Sequence, residues 1–169
     1  MKQRYTSAKT SVNTIPKVFK QCEFKRGLTV LDYGGGKYDT AKEYIEEVAG
    51  VKFFVFDPYN RSPEHNEEVQ AIGRRLKGFD YVTCNNVLNV IYEDDVIVSI
   101  LQDLRNVFNG NGSIYIQVYE GNKSGNGSET SRGYQRNARA SSYEGIISSV
   151  FNDSFSVKRK GNIYTIEVL

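Results

Sequence analysis

The chain contains no tryptophan, one methionine, one histidine, two cysteines and three prolines in 169 residues. Each scarcity narrows what it can do. A lone imidazole, His65, is a poor basis for a zinc centre or for histidine-based catalysis, so no metal is expected. Cys22 and Cys84 sit in apolar stretches without metal-ligand spacing, so reduced thiols and a cytoplasmic setting are expected. Apolar runs are short: none approaches the ~20 residues of a membrane span, and residues 1–20 hold none of signal-peptide length. No membrane association is expected. There is no internal repeat, and a chain of this length suits a single domain, 1–169, burying roughly 70% of its unfolded surface.

Charge is unevenly spread rather than abundant. Net charge is +2, yet residues 1–26 carry seven Lys/Arg against one acid and residues 121–142 carry four against one. These are a basic N-terminal arm and a basic loop on an acidic body. They read either as solvated segments or as a patch that draws in an anion.

The most informative stretch is Leu28–Asp39, an apolar strand ending in Asp32-Tyr33-Gly34-Gly35-Gly36 before a helix. Gly34 and Gly36 can take backbone angles closed to other residues and let the main chain approach a ligand. The helix start favours a carboxylate or phosphate, while Asp32 favours an ammonium. A zwitterionic ligand such as S-adenosylmethionine satisfies both. A dinucleotide fingerprint would need glycine at the position of Asp39, which disfavours NAD.

The remaining pattern alternates strands and helices. Asn13 or Thr14 can cap a short helix carrying Pro16, Val18 and Phe19; Thr40 and Glu43 have capping-box spacing for a helix closed by Gly50. Val51–Phe56 is an apolar strand, Ser62-Pro63 opens a helix, and Phe79–Cys84 is a third strand. Acids at 93–95 head the clearest helix, and Ser113–Tyr119 alternates as a strand. Residues 121–142 read as a long loop, followed by a helix near Ile146–Phe151 and two strands joined by Gly161-Asn162. The expectation is an α/β fold: a mostly parallel sheet with helices on both faces and a C-terminal antiparallel hairpin. Its ligand edge gathers the glycine loop, Asp57, Asn85-Asn86-Val87 and the segment after Tyr119.

Asp57, 25 residues beyond Asp32, can accept two hydrogen bonds from ribose hydroxyls, although an Asp before Pro also starts turns. With Val30–Gly36, Phe54–Asp57 and Phe79–Ile91 in view, the chain resembles the class I S-adenosylmethionine-dependent methyltransferases, from about Asn13 to the C-terminus. The resemblance implies a Rossmann-like fold and S-adenosylmethionine as cofactor, held by Asp32, Tyr33, Gly34, Gly35, Gly36, Asp57, Pro58, Tyr59, Asn85, Asn86 and Val87. Tyr38 replaces the family's third glycine. Only 22 residues separate Asp57 from Asp80, so one of the usual seven strands is expected to be missing.

Methyl transfer from a sulfonium depends mainly on alignment and exclusion of water, which well-oriented reactions show is worth ~7–11 kcal/mol. A base is needed only if the acceptor must lose a proton, and the candidates are Tyr119 and Glu120, with Asn85 as positioner. Lys123, Arg132, Tyr134, Arg136 and Arg139, with Lys2, Arg4, Tyr5 and Lys9, favour an anionic acceptor, a nucleic acid or phosphorylated metabolite; a lid over a small neutral acceptor is the competing reading. The leading expectation is a methyltransferase. The alternative is a non-catalytic protein that binds or sequesters S-adenosylmethionine.

Overall fold

The computed structural model describes residues 13–169. Its strands are β1 (Thr29–Tyr33), β2 (Lys52–Phe56), β3 (Tyr81–Asn85), β4 (Ile114–Gln117), β5 (Ser128–Thr130), β6 (Gly133–Gln135), β7 (Phe155–Lys160) and β8 (Ile163–Val168). The helices are α1 (Val18–Gln21), α2 (Thr40–Ala49), α3 (Pro63–Leu76), α4 (Asp94–Val107) and α5 (Glu144–Val150). Six strands form one sheet in the order β2-β1-β3-β4-β8-β7, and β5 pairs only with β6. The β1 to β4 pairings are parallel, whereas β8 runs antiparallel to β4 and β7. Among the described residues the sheet has six strands, one short of seven, as the 22-residue spacing predicts.

Both faces of the sheet are covered. Leu31, Val82, Cys84 and Ile116 pack with α4 and α5 through Ile97, Leu101, Leu104 and Ile147. Val30, Phe53, Val55 and Tyr115 pack on the other face with α1 and α2 through Val18, Phe19 and Ile45. Phe24 packs against the stacked rings of Tyr81 and Tyr115, with centroids 5.0 and 5.3 Å away, and the Tyr115 hydroxyl donates to the Glu23 carbonyl at 2.9 Å. Aromatic pairs of this kind each contribute about 0.5–1.5 kcal/mol beyond area burial. They fasten the segment after α1 across the sheet.

Local signals are met unevenly. Ser62 caps α3 by accepting from the His65 N–H at 3.1 Å, with Pro63 at the first turn, and Gly50 closes α2 at φ 66°. The capping box at Thr40 does not form. Asp39 holds the N-cap position without a side-chain bond, and the Thr40 hydroxyl bonds the Asn13 side chain instead. Asn13 and Thr14 cap nothing either, because α1 begins only at Val18. β4 is buried along its whole length rather than on alternate residues, since it lies between β3 and β8 with helices on both faces.

The sheet ends at β2. Lys52 donates its N–H to the Leu28 carbonyl, and the Phe56 carbonyl accepts from Gly34, so strand alternation turns the main-chain groups of Phe53 and Val55 outward. Three side chains meet them. Glu46 Oε2 accepts the Phe53 N–H at 3.2 Å, Lys42 Nζ donates to the Phe53 carbonyl at 2.9 Å, and His65 Nε2 lies 2.7 Å from the Val55 carbonyl. Among the described residues no helix is long and apolar enough to cross a membrane.

Candidate functional site

β1 delivers Asp32 to the carboxyl edge of the sheet, where the carboxylate is 2% exposed. Its Oδ1 accepts from the Thr83 hydroxyl at 2.7 Å and from the Asn85 amide at 3.3 Å, both on β3. Burial is the dominant influence on its ionisation and pushes its pKa up to about 6, against the opposing pull of these hydrogen bonds. Beside it, Asn85 Oδ1 is buried without a hydrogen-bond partner among the described residues. A buried acid and an adjoining unfilled acceptor together make a polar socket whose chemistry suits a donor-rich cation.

The glycine bend closes over this socket. Gly34 and Gly36 have φ of 77° and 80°. A Cβ on Gly34 would lie 2.6 Å from Val87 Cγ2, and one on Gly35 would lie 2.5 Å from Asp32 Oδ2. The bend therefore needs glycine for contacts within the protein as well as for φ. Gly36 is gripped from both sides: its N–H donates to Asp57 Oδ2 at 2.9 Å, and its carbonyl accepts from Arg61 Nε at 2.7 Å. Arg61 also donates to the Tyr38 carbonyl at 3.2 Å and pairs with Asp39 at 2.8 Å.

Asp57 is fully buried. Its Oδ1 accepts the N–H groups of Tyr59 and Asn60 at 2.9 and 3.1 Å, and Oδ2 takes the Asn60 side-chain amide at 3.1 Å in addition to Gly36. Asn66 fixes the same residue by the main chain, accepting its N–H at 3.0 Å and donating to its carbonyl at 2.9 Å. The carboxylate read from sequence as a ribose acceptor thus anchors the glycine bend and its own turn. Pro58 and Tyr59 stand exposed beyond it.

Other expected residues divide in the same way. Tyr33 contributes its main chain to the bend, but its hydroxyl donates to Asp103 on α4 at 2.7 Å, on the opposite side from the site. Asn86 is exposed at φ 58°, and its Oδ1 faces Gln117 Nε2 at 3.4 Å. Tyr119 is 57% exposed, and Glu120 Oε2 accepts the Ala140 N–H at 2.8 Å. In the basic loop, Arg136 is spent on the carbonyls of Ile91 and Tyr92 and on Asp94, at 2.9 to 3.1 Å. Lys123, Arg132 and Arg139 remain exposed. Lys2, Arg4, Tyr5 and Lys9 lie outside the described residues.

Sequence reading missed Arg61, Asn66, Thr83 and Gln117. A usable signal existed for two of them: Thr83 and Gln117 are polar residues inside otherwise apolar strands, and both are buried. Arg61 and Asn66 had none, because a charged turn and a polar helix start read as solvated.

A family model described as a methyltransferase domain matches residues 3–155. The chain belongs to the class I S-adenosylmethionine-dependent methyltransferases. Solved members share its fold at low identity. A mitomycin 7-O-methyltransferase superposes with TM-score 0.57 at 16% identity, covering 90% of this chain and 52% of that one. The 1,6-didemethyltoxoflavin-N1-methyltransferase of Burkholderia thailandensis, solved with S-adenosylhomocysteine and 1,6-didemethyltoxoflavin, gives 0.58 at 20%, covering 83% and 69%. A TehB-like methyltransferase from Corynebacterium glutamicum gives 0.54 at 12%, covering 96% and 92%. This chain therefore spans about half the length of the mitomycin enzyme and nearly all of the corynebacterial one. No curated protein matches it.

Proposed function

We propose that this methyltransferase-family chain binds S-adenosylmethionine at the glycine bend and transfers its methyl group to an acceptor held under the loop 121–142. The observation that carries the reading is the socket itself: buried Asp32, the unfilled Asn85 Oδ1 beside it, and a bend pinned at Gly36 by Asp57 and Arg61. An ammonium there would supply the missing donor to Asn85 and a countercharge to Asp32, so the residues fit the cofactor's amino-acid end. The bound cofactor supplies an activated methyl group on a positively charged sulfur.

The chain's own work is alignment and, for a protonated acceptor, removal of a proton. Asn85 positions; Tyr119 or Glu120 accepts the proton, Glu120 through the oxygen not bonded to Ala140. Asp57 contributes to ribose recognition through the turn it organises, which presents Pro58, Tyr59 and Asn60. With Arg136 committed elsewhere, Lys123, Arg132 and Arg139 are the cations of the loop, among the described residues, that favour a nucleic acid or phosphorylated acceptor.

The second reading, a protein that binds S-adenosylmethionine without turnover, draws support from Glu120, half of whose carboxylate is tied to Ala140. Calorimetry with S-adenosylmethionine, S-adenosylhomocysteine and NAD tests the site, and binding of NAD alone would refute it. Incubation with methyl-labelled cofactor and fractionated RNA, DNA and phosphorylated metabolites then tests transfer. Label in a nucleic-acid or phosphometabolite fraction supports the acceptor class, and tight binding with no label in any fraction favours the second reading.

A further inference from the structure

A cleft of about 490 Å³ runs between α3 and α4 on the sheet face opposite α1 and α2. It is apart from the socket at Asp32. Its floor is aromatic: the rings of Tyr33 and Phe56 lie 5.2 Å apart, and Phe79 continues the floor toward the far end. Gly73 brings α3 down onto that floor, since a Cβ there would sit 2.9 Å from the Phe79 ring. An interior glycine costs a helix roughly 1 kcal/mol relative to alanine, so close approach at this point is favoured over helix propensity.

The walls are polar, and they are not neutral. Gln70, Arg74 and Lys77 recur at i, i+4 and i+7, so one stripe of α3 and its C-cap lines the cleft. Neither Arg74 nor Lys77 has an ion-pair partner among the described residues. The acid on the facing wall, Asp103, already accepts the Tyr33 hydroxyl at 2.7 Å. Volume, aromatic floor and a few converging polar groups match the make-up of small-molecule sites, which run from about 300 to 1,000 Å³. The lining carries two cations, Arg74 and Lys77, against one acid, Asp103, so its net charge is positive, and the flat surface is aromatic.

We infer that the cleft between α3 and α4 is a second ligand site that takes an organic anion with an aromatic or fused-ring body, its acid group between Arg74 and Lys77 and its rings over Tyr33 and Phe56. The inference does not rest on the proposed function, because none of its polar groups belongs to the socket. It has a consequence for that socket all the same: Tyr33 and Phe56 directly precede Gly34 and Asp57, so an occupant would press on the strand ends that carry the bend.

The test is a fluorescence titration of the full chain with 8-anilinonaphthalene-1-sulfonate, in parallel with the uncharged N-phenyl-1-naphthylamine, with and without saturating S-adenosylhomocysteine. The expected result is one saturable site for the sulfonate, at least tenfold weaker binding of the neutral analogue, and no displacement by S-adenosylhomocysteine. The double variant Arg74→Glu/Lys77→Glu should weaken sulfonate binding by tenfold or more. Gln70→Trp, which fills the cleft without altering charge, should abolish it and keeps the test decisive if the double variant fails to fold. Binding at several weak sites, indifference to both changes, or mutual exclusion with S-adenosylhomocysteine would overturn the inference.

Discussion

Replacing Asp32 by asparagine should make the ligand-free protein more stable at neutral pH and worse at holding its cofactor. The native carboxyl titrates at about 6 instead of 3.8 because it is buried. The folded chain therefore binds this proton more tightly than the unfolded chain does, and stability falls as pH rises through that interval. Below about pH 4 both states are protonated and the penalty is absent; above about 6 it is complete. The displacement corresponds to ~3 kcal/mol, an upper figure given that a buried carboxylate recruits relaxation and water. For a chain of this size that is roughly 6–12 °C in melting temperature. Asparagine keeps the shape and can still accept from Thr83, but it carries no charge to desolvate.

Melting curves of the two proteins at half-unit steps from pH 4 to 8 isolate the effect, since every other titrating group is common to both. The profiles should coincide near pH 4 and diverge through 6, with the variant higher. Its affinity for S-adenosylmethionine should be at least tenfold lower, as expected for losing a charge-assisted bond of ~1.5–3 kcal/mol. Wild-type affinity should also climb as pH rises through 6, when Asp32 ionises. Parallel melting profiles would show that the buried acid is not a source of strain and would undo the reasoning.

Arg61→Ala, which removes the bridge from Gly36 and Tyr38 to Asp39, should weaken cofactor binding by about tenfold, or ~1.4 kcal/mol. Lysine should restore only part of it, having no fork to reach three acceptors; an unchanged dissociation constant in the alanine variant would remove Arg61 from the site. Asp57→Ala strands several buried donors, so unfolding by urea should show a loss of at least ~3 kcal/mol together with weaker cofactor binding. A normal urea midpoint would contradict its anchoring role. Gly34→Ala meets both an unfavourable φ and the Val87 methyl and should cost roughly 1–3 kcal/mol by the same measurement. Glu120→Gln retains an acceptor for Ala140 but cannot take a proton, so turnover should fall about 10²-fold at constant melting temperature; full turnover would eliminate Glu120 as the base.

What was legible in the sequence was local geometry. Gly34 and Gly36 announce a bend because few other residues tolerate their φ, Ser62-Pro63 announces α3, and Gly161-Asn162 announces the β7–β8 hairpin. The short spacing between Asp57 and Asp80 gave away the absent strand. What stayed hidden depends on partners distant in the chain. Thr83 reaches Asp32 across 51 residues, and the Gln117 amide reaches the Val18 N–H across 99. Asp57 was found but its immediate duty was not, since its bond to Gly36 exists only once β1 and β2 lie side by side. The loop 121–142 concealed a small hairpin, β5–β6, pinned by buried Asn137, whose amide donates to the Asn126 carbonyl at 3.0 Å and the Ser128 hydroxyl at 3.2 Å. Its glycine, serine and asparagine content reads as plain loop.

The dressing of β2 by Lys42, Glu46 and His65 changes how the loss of a strand should be understood. An exposed border is normally an invitation to edge-to-edge aggregation. Here the two flanking helices lean their own polar tips over the border, so the edge left open in this sheet is covered by the same two helices that flank it. Anyone grafting the seventh strand back onto this scaffold would have to strip those three side chains first, and the chain's solitary histidine turns out to be a piece of masonry.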